Sequence, residues 1–181
     1  MRKEYALIEN ERYKLIILLE EMDFDYYTNV YIHLIYDNKT ILLFNDNLLA
    51  LKNVVEQYKE NIDILCSDLD EKRLGILRNN YYRALFENDF QNDFKLDSQG
   101  FWRGEKYCCY VSTQYATWIY RYNGKIILKV TPVFVGFEEK DYTLKYGEFV
   151  KQYKDVFRDF ISLHELFSAK KVILDLYDRL L

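Results

Sequence analysis

Proline occurs once in this chain and glycine six times in 181 residues. Glycines so sparse and scattered offer no glycine-rich loop of the kind that cradles phosphates. Histidine is almost as rare: His33 and His164 lie too far apart in sequence to suggest a metal pair or an acid–base pair. They read as a mid-strand packing residue and a solvated helix-start residue. There is no HExxH, CxxC or GxSxG. The three cysteines make no even disulfide framework. Cys108 and Cys109 are adjacent, so in a strand they point to opposite faces. Neither has a visible base beside it, and both read as buried structural thiols.

Long apolar runs are also missing. Met1-Arg2-Lys3-Glu4-Tyr5 is not the start of a secretory signal, and Leu15 to Leu19 is far too short to cross a bilayer. Basic clusters are missing too, with 25 Lys and Arg against 29 Asp and Glu, a net charge of −4 and a pI of about 5.3. Phosphate neutralisation needs clustered cations, so this balance argues against direct nucleic-acid binding. The expectation is a cytoplasmic protein with reduced thiols, no membrane partner, no cofactor and no metal.

What the chain has in abundance is rings, with 18 Tyr and 12 Phe. Tyr, Phe, Asn, Lys and Ile have AT-rich codons, so an AT-rich genome produces much of this skew without selection for binding. Half the residues are hydrophobic and 30% are charged, enough for a core and a polar surface and unlike a disordered chain. The length predicts a single domain over 1–181, with possible sub-halves 1–92 and 93–181.

Both halves read as sheet first, then helices. Glu11 to Glu21 reads as a strand. Val30 to Tyr36 and Lys39 to Phe44 form a hairpin around Asp37-Asn38. Asn45-Asp46-Asn47 then supplies N-cap chemistry for a helix with Leu48, Leu51, Val55, Tyr58 and Ile62 on one side. A second helix is predicted from Ser67, with Leu69, Leu74, Leu77, Tyr81 and Leu85 inward, though Gly75 and Asn79-Asn80 weaken it. The polar stretch "ENDFQNDFKLDSQG" reads as a joint. Lys106 to Ser112 then reads as a strand, and Asn123-Gly124 as the turn of a hairpin from Tyr115 to about Phe134. Pro132 suits a strand end. After a loop near "GFEEKDY", a helix is predicted with Phe149, Tyr153, Phe157 and Phe160 on one side. Ser162 and Glu165 form a capping box for another. The fold class is α+β, mostly antiparallel sheet covered by helices on one face.

Two features suggest a binding surface. A two-residue turn pairs Tyr122 with Lys125, Tyr120 with Ile127 and Trp118 with Lys129. It pairs Ile119 with Leu128, Thr117 with Val130 and Arg121 with Ile126 on the other, more aliphatic side. The side carrying Trp118, Tyr120 and Tyr122 between two lysines reads either as a recognition face, with lysines lying across rings, or as packing under a helix. The second feature is acid mixed with rings. Glu20, Glu21, Asp23 and Asp25 sit with Phe24, Tyr26 and Tyr27; Glu87, Asp89, Asp93 and Asp97 sit with Phe90 and Phe94. Such loops suit docking on a basic protein, where charge steers the encounter and rings anchor it.

These features lead to the expectation of a non-catalytic protein-binding protein. Its type is that of the immunity or antidote inhibitors that neutralise a cognate, basic toxin in the bacterial cytoplasm. The candidate partner-binding residues are Asp23, Asp25, Tyr26, Asp89, Asp93, Asp97, Trp118, Tyr120 and Tyr122. One alternative is a carboxylate-dependent hydrolase or nuclease without a readable motif, which requires acidic residues converging in a cleft with raised pKa values. The other is a homodimeric structural or assembly module.

Overall fold

Two chemically similar turns organise the strands. Asp37 and Asn38 adopt φ of 45° and 58°, and Asn123 and Gly124 adopt 49° and 74°. These left-handed pairs match the right-handed twist of the strands they join. The computed structural model describes residues 2–20, 25–59, 62–89 and 94–179. In chain order the elements are β1 (Arg2–Glu9), β2 (Lys14–Glu20), β3 (Asn29–Tyr36), β4 (Lys39–Asn47) and α1 (Leu48–Glu56). A 3-10 turn at Glu71–Arg73 leads into α2 (Leu74–Glu87), and another at Glu105–Tyr107 leads into β5 (Cys108–Val111). Then follow β6 (Tyr115–Tyr122), β7 (Lys125–Pro132), α3 (Tyr142–Gln152), β8 (Phe157–Phe160) and α4 (Leu163–Asp178). The strands form two antiparallel sheets, ordered β1-β2-β3-β4 and β5-β6-β7-β8. The fold is therefore α+β.

Local chemistry is where the sequence places it. The β6–β7 register agrees with the expected pairs throughout, and Pro132 ends β7. Asn47 caps α1, its Oδ1 accepting from the Ala50 N–H at 2.8 Å. The capping box of α4 has both arms: Glu165 N–H donates to Ser162 Oγ, and Ser162 N–H donates to Glu165 Oε2.

Three helices differ from expectation. The one that Asn47 caps ends at Glu56, so Tyr58 and Ile62 lie beyond it. The one predicted from Ser67 starts at Leu74, after the 3-10 turn that Asp70 caps through Lys72 N–H. Gly75, which weakens this helix by propensity, has a packing reason to be there. A Cβ at this position would meet Thr131 Cβ at 2.6 Å, as well as the Tyr153 hydroxyl. Glycine lets α2 approach β7 this closely. The helix predicted through Phe149, Tyr153, Phe157 and Phe160 stops at Gln152. Phe157 and Phe160 instead lie on β8, paired with Val130 and Ile127 of β7. Ladder hydrogen bonds to the buried strand override the helical spacing of the rings.

The helices do not keep to the sheet of their own half of the chain. One core packs the inner face of β1–β4, through Ile17, Ile32 and Leu43, against α1, α4 and the aliphatic face of β6–β7. A second core lies on the opposite face of β6–β7, where Trp118, Tyr120 and Ile127 meet Leu74 and Tyr81 of α2 and the ring of Trp102. Thus α2 covers the second sheet, and α4, from the far end of the chain, packs with the first.

Three β-bulges feed the first core. The register shifts between Ala6 and Ile8, between Ile32 and His33 where they meet Phe44 and Leu42, and between Cys108 and Tyr110. The extra residue lets two consecutive side chains face the same way, breaking strict alternation. Leu7 with Ile8, Leu43 with Phe44 and Cys109 with Tyr110 all pack on this core. Cys108 packs on the other core, so the two thiols do point to opposite faces.

Candidate functional site

The β6–β7 hairpin decides the first candidate. Trp118 and Tyr120 are buried in the second core, so neither ring is open to a partner. The Trp118 indole packs edge-on to Trp102 at 6.1 Å, and its Nε1–H donates to Thr131 Oγ1 at 2.8 Å. Tyr122, at the hairpin tip, is 37% exposed. Both faces of the hairpin are core because α2 covers the side that carries the rings.

The lysines of this hairpin differ as well. Lys125 Nζ lies over a ring, but that of Phe160 on β8, at 4.1 Å. Lys129 is 0% exposed and sits in a network of ions. Its Nζ donates to the Glu71 carbonyl at 2.7 Å and pairs with Asp155 at 2.9 Å. Glu71, also buried, accepts from the Tyr120 hydroxyl at 2.6 Å and from Arg158 Nε at 2.8 Å. Burial alone would raise the Glu71 pKa. The hydrogen bonds from Tyr120 and Arg158 and the charges of Lys129 and Arg158 outweigh it and hold the carboxyl below its ordinary value. Burial, with the carboxylate beside it, pushes the Tyr120 phenol well up. A charged glutamate clamped by a phenol and two cations joins the 3-10 turn before α2 to β6, β7 and β8. Its shift is opposite to that required of a general acid.

Cys108 and Cys109 line a cleft of about 440 Å³ between the end of α1 and β5, together with Tyr58, Ile62, Lys59 and Lys106. Burial pushes the Cys108 thiol far up and the Cys109 thiol to about 12. Cys109 Sγ donates to the Thr117 carbonyl at 3.2 Å. A rise from an ordinary 9.0 to about 12 lowers the thiolate fraction near neutral pH about a thousandfold. Both thiols are therefore expected to react with a disulfide reagent at pH 8 far more slowly than free cysteine, and to label at once after unfolding in guanidinium. Rapid labelling of either in the folded protein, read by mass spectrometry of its peptides, would contradict this burial.

The acidic candidates disperse. Asp23 and Asp93 lie outside the described residues. Asp25 is exposed, but its Oδ1 accepts from the Tyr27 N–H at 2.8 Å and closes its own turn. Asp97 does the same for Gln99 and Phe101, accepting both N–H groups at 2.9 Å. Tyr26 packs at a tilt against Tyr177 of α4, ring centres 4.9 Å apart, whereas its neighbour Tyr27 is 70% exposed. Asp89 is exposed immediately beyond α2.

At that end of α2 a surface of acid and rings does form, from Glu87 and Asp89 together with rings and carboxylates the sequence reading leaves without a role. Phe86 is 50% exposed and packs against Phe137 at 5.7 Å and Tyr142 at 5.5 Å. The Tyr142 hydroxyl donates to Glu87 Oε1 at 2.6 Å, and Arg83 Nε donates to the same oxygen at 3.0 Å. Glu138, Glu139 and Asp141 are exposed on the short segment between Phe137 and Tyr142. Lys145 is paired with Glu139 and Asp141. Leu85 and Leu144 are exposed nearby in sequence on the two helices. The stretch "GFEEKDY" is the signal for this surface, but only the packing of α3 against α2 joins it to Phe86.

Among the described residues no group of His, Cys, Asp and Glu is arranged to hold a metal ion, and no helix is long and apolar enough to cross a membrane. No protein family, curated protein or solved structure matches the chain.

Proposed function

We propose that the protein is a non-catalytic binding protein of the immunity or antidote type, neutralising a basic, toxin-like protein in the bacterial cytoplasm. The observation that carries this reading is the surface at the end of α2. A half-exposed phenylalanine, packed against two rings that also touch each other, stands among Glu87, Asp89, Glu138, Glu139 and Asp141. A ring packed in this way loses little conformational freedom on binding, and carboxylates around it favour a cationic surface. The carboxylate-enzyme reading is less well supported. Among the described residues Glu71 is the buried acidic one, and it is locked to Tyr120 and Arg158 and kept charged.

The test is calorimetric titration of the purified chain with the product of the reading frame beside its own. The expected result is a one-to-one complex, weakened by salt, that abolishes that product's toxicity. Phe86→Ala with Asp141→Lys is expected to weaken it at least tenfold, a loss of about 1.4 kcal/mol or more. The reading fails if that product does not bind. It also fails if binding survives both substitutions unchanged.

A further inference from the structure

The cleft between the end of α1 and β5 grades from apolar inside to charged at its mouth. Of the residues that line it, Ile62, Tyr107 and Ile119 are buried, and Val54, Tyr58 and Cys109 are half-buried. Lys59, Asp63 and Lys106 are exposed at its edge. Both walls are tied to the rest of the fold. Lys170 Nζ of α4 donates to the Tyr58 carbonyl at 3.0 Å, which fixes the chain just beyond α1. The Tyr107 hydroxyl donates to the Ile64 carbonyl at 2.8 Å and accepts the Cys66 N–H at 3.0 Å, which fixes the turn before β5. A preformed space of about 440 Å³ has the size of a small-molecule pocket, and such pockets are mostly apolar with a few placed polar groups.

We propose that this cleft binds a small apolar monoanion, its body against Val54, Ile62 and Ile119 and its charge at the lysines of the mouth. The local charge is opposite in sign to that of the chain. Two lysines and one aspartate line the cleft, whereas the whole chain carries −4. Asp63 is engaged by Lys106, its Oδ2 lying 3.5 Å from Nζ. Lys59 has no carboxylate partner among the described residues. One uncompensated cation at the mouth matches one anionic group on the ligand. The inner side offers nothing to a cation. Burial first, then the neighbouring Cys109 and Tyr110, push the Tyr58 phenol well up, and burial holds the Cys109 thiol at about 12. Both groups stay protonated and neutral near neutral pH, so an ammonium placed there would meet no counter-charge. The site is therefore distinct in chemistry from the acidic surface at the end of α2.

Anilinonaphthalene sulfonate, a rigid apolar monoanion whose fluorescence rises on leaving water, tests this when titrated into the full chain. Saturable binding is expected with a Kd of roughly 10–100 µM, which suits a ligand of that size in an open cleft. Its uncharged parent, phenylnaphthylamine, is expected to bind about fivefold more weakly or worse, because it makes no contact with the lysines. Lys59→Glu with Lys106→Glu is expected to weaken the sulfonate about tenfold or more and to leave the parent within about twofold. Methyl NMR of the unaltered protein locates the site independently of how the variant folds. Shifts on adding the sulfonate are expected at Val54, Ile62 and Ile119 and not at Leu85 or Leu144. The proposal is overturned if nothing saturates by about 1 mM or if the shifts map to another surface. It is overturned equally if the parent binds as tightly as the sulfonate. None of these results bears on binding at the end of α2, which is read separately by calorimetry.

Discussion

Replacing Lys129 with alanine is expected to cost about 3–5 kcal/mol of folding stability, the loss usual when one partner of a buried ion pair is removed. Few domains have more than 5–15 kcal/mol in total, so the variant should be largely unfolded or close to it at 37 °C. Lys129 is fully enclosed, so its loss leaves the Glu71 carbonyl without this donor and Asp155, whose side chain is 30% exposed, without its partner. Removing the ammonium also weakens the field that keeps Glu71 ionised beside the Tyr120 phenol. Urea denaturation measures the loss. Lys129→Met separates charge from volume, because it fills the space and still leaves Asp155 unpaired. If charge is the cause, Lys129→Met is nearly as unstable as Lys129→Ala, and adding Asp155→Asn restores part of the loss. A cost below about 1 kcal/mol for Lys129→Ala would mean the side chain is solvated after all.

The second large effect is expected at Trp118. Trp118→Ala should cost about 3–5 kcal/mol through lost burial and a cavity the surrounding core cannot close. It also orphans Thr131 Oγ1 of its indole donor and Trp102 of its edge-on partner. A ring displayed for a partner would behave otherwise, because exposed substitutions usually fall within about 0.5 kcal/mol. Tyr122→Ala, on the same strand face but at the exposed tip, is the internal comparison and is expected to be mild. If the two substitutions cost the same small amount, α2 does not cover this face.

Lys129 and Trp118 were legible as neighbours and illegible as interior. Their cross-strand pairing follows from the Asn123-Gly124 turn, because two residues at positive φ leave one register. The same arithmetic, applied to the sheet face, leaves open whether the rings form a recognition face or pack under a helix. Whether a helix lies over that face depends on Leu74 and Tyr81, more than thirty residues earlier in the chain. The acid-and-ring surface shows the same limit. Phe86 and "GFEEKDY" are unremarkable separately, and only the packing of α3 against α2 brings Phe137 and Tyr142 onto Phe86.

By itself the sequence determined what neighbouring residues can settle among themselves. That covers both hairpin turns, the register of β6–β7, the Asn47 cap, the Ser162–Glu165 capping box and the α+β class. Each follows from the φ preference or hydrogen-bonding reach of side chains a few positions apart. The tertiary structure alone decided which faces are covered, which helix serves which sheet, and where alternation breaks. The bulges at Leu7, Leu43 and Cys109 turn two consecutive side chains into one core because apolar surface on α1, α4 and β6–β7 awaits them. The segment Phe157–Phe160 becomes a strand because β7 offers it a ladder. Burial is a property of pairs of surfaces, and the second member of each pair lies elsewhere in the chain.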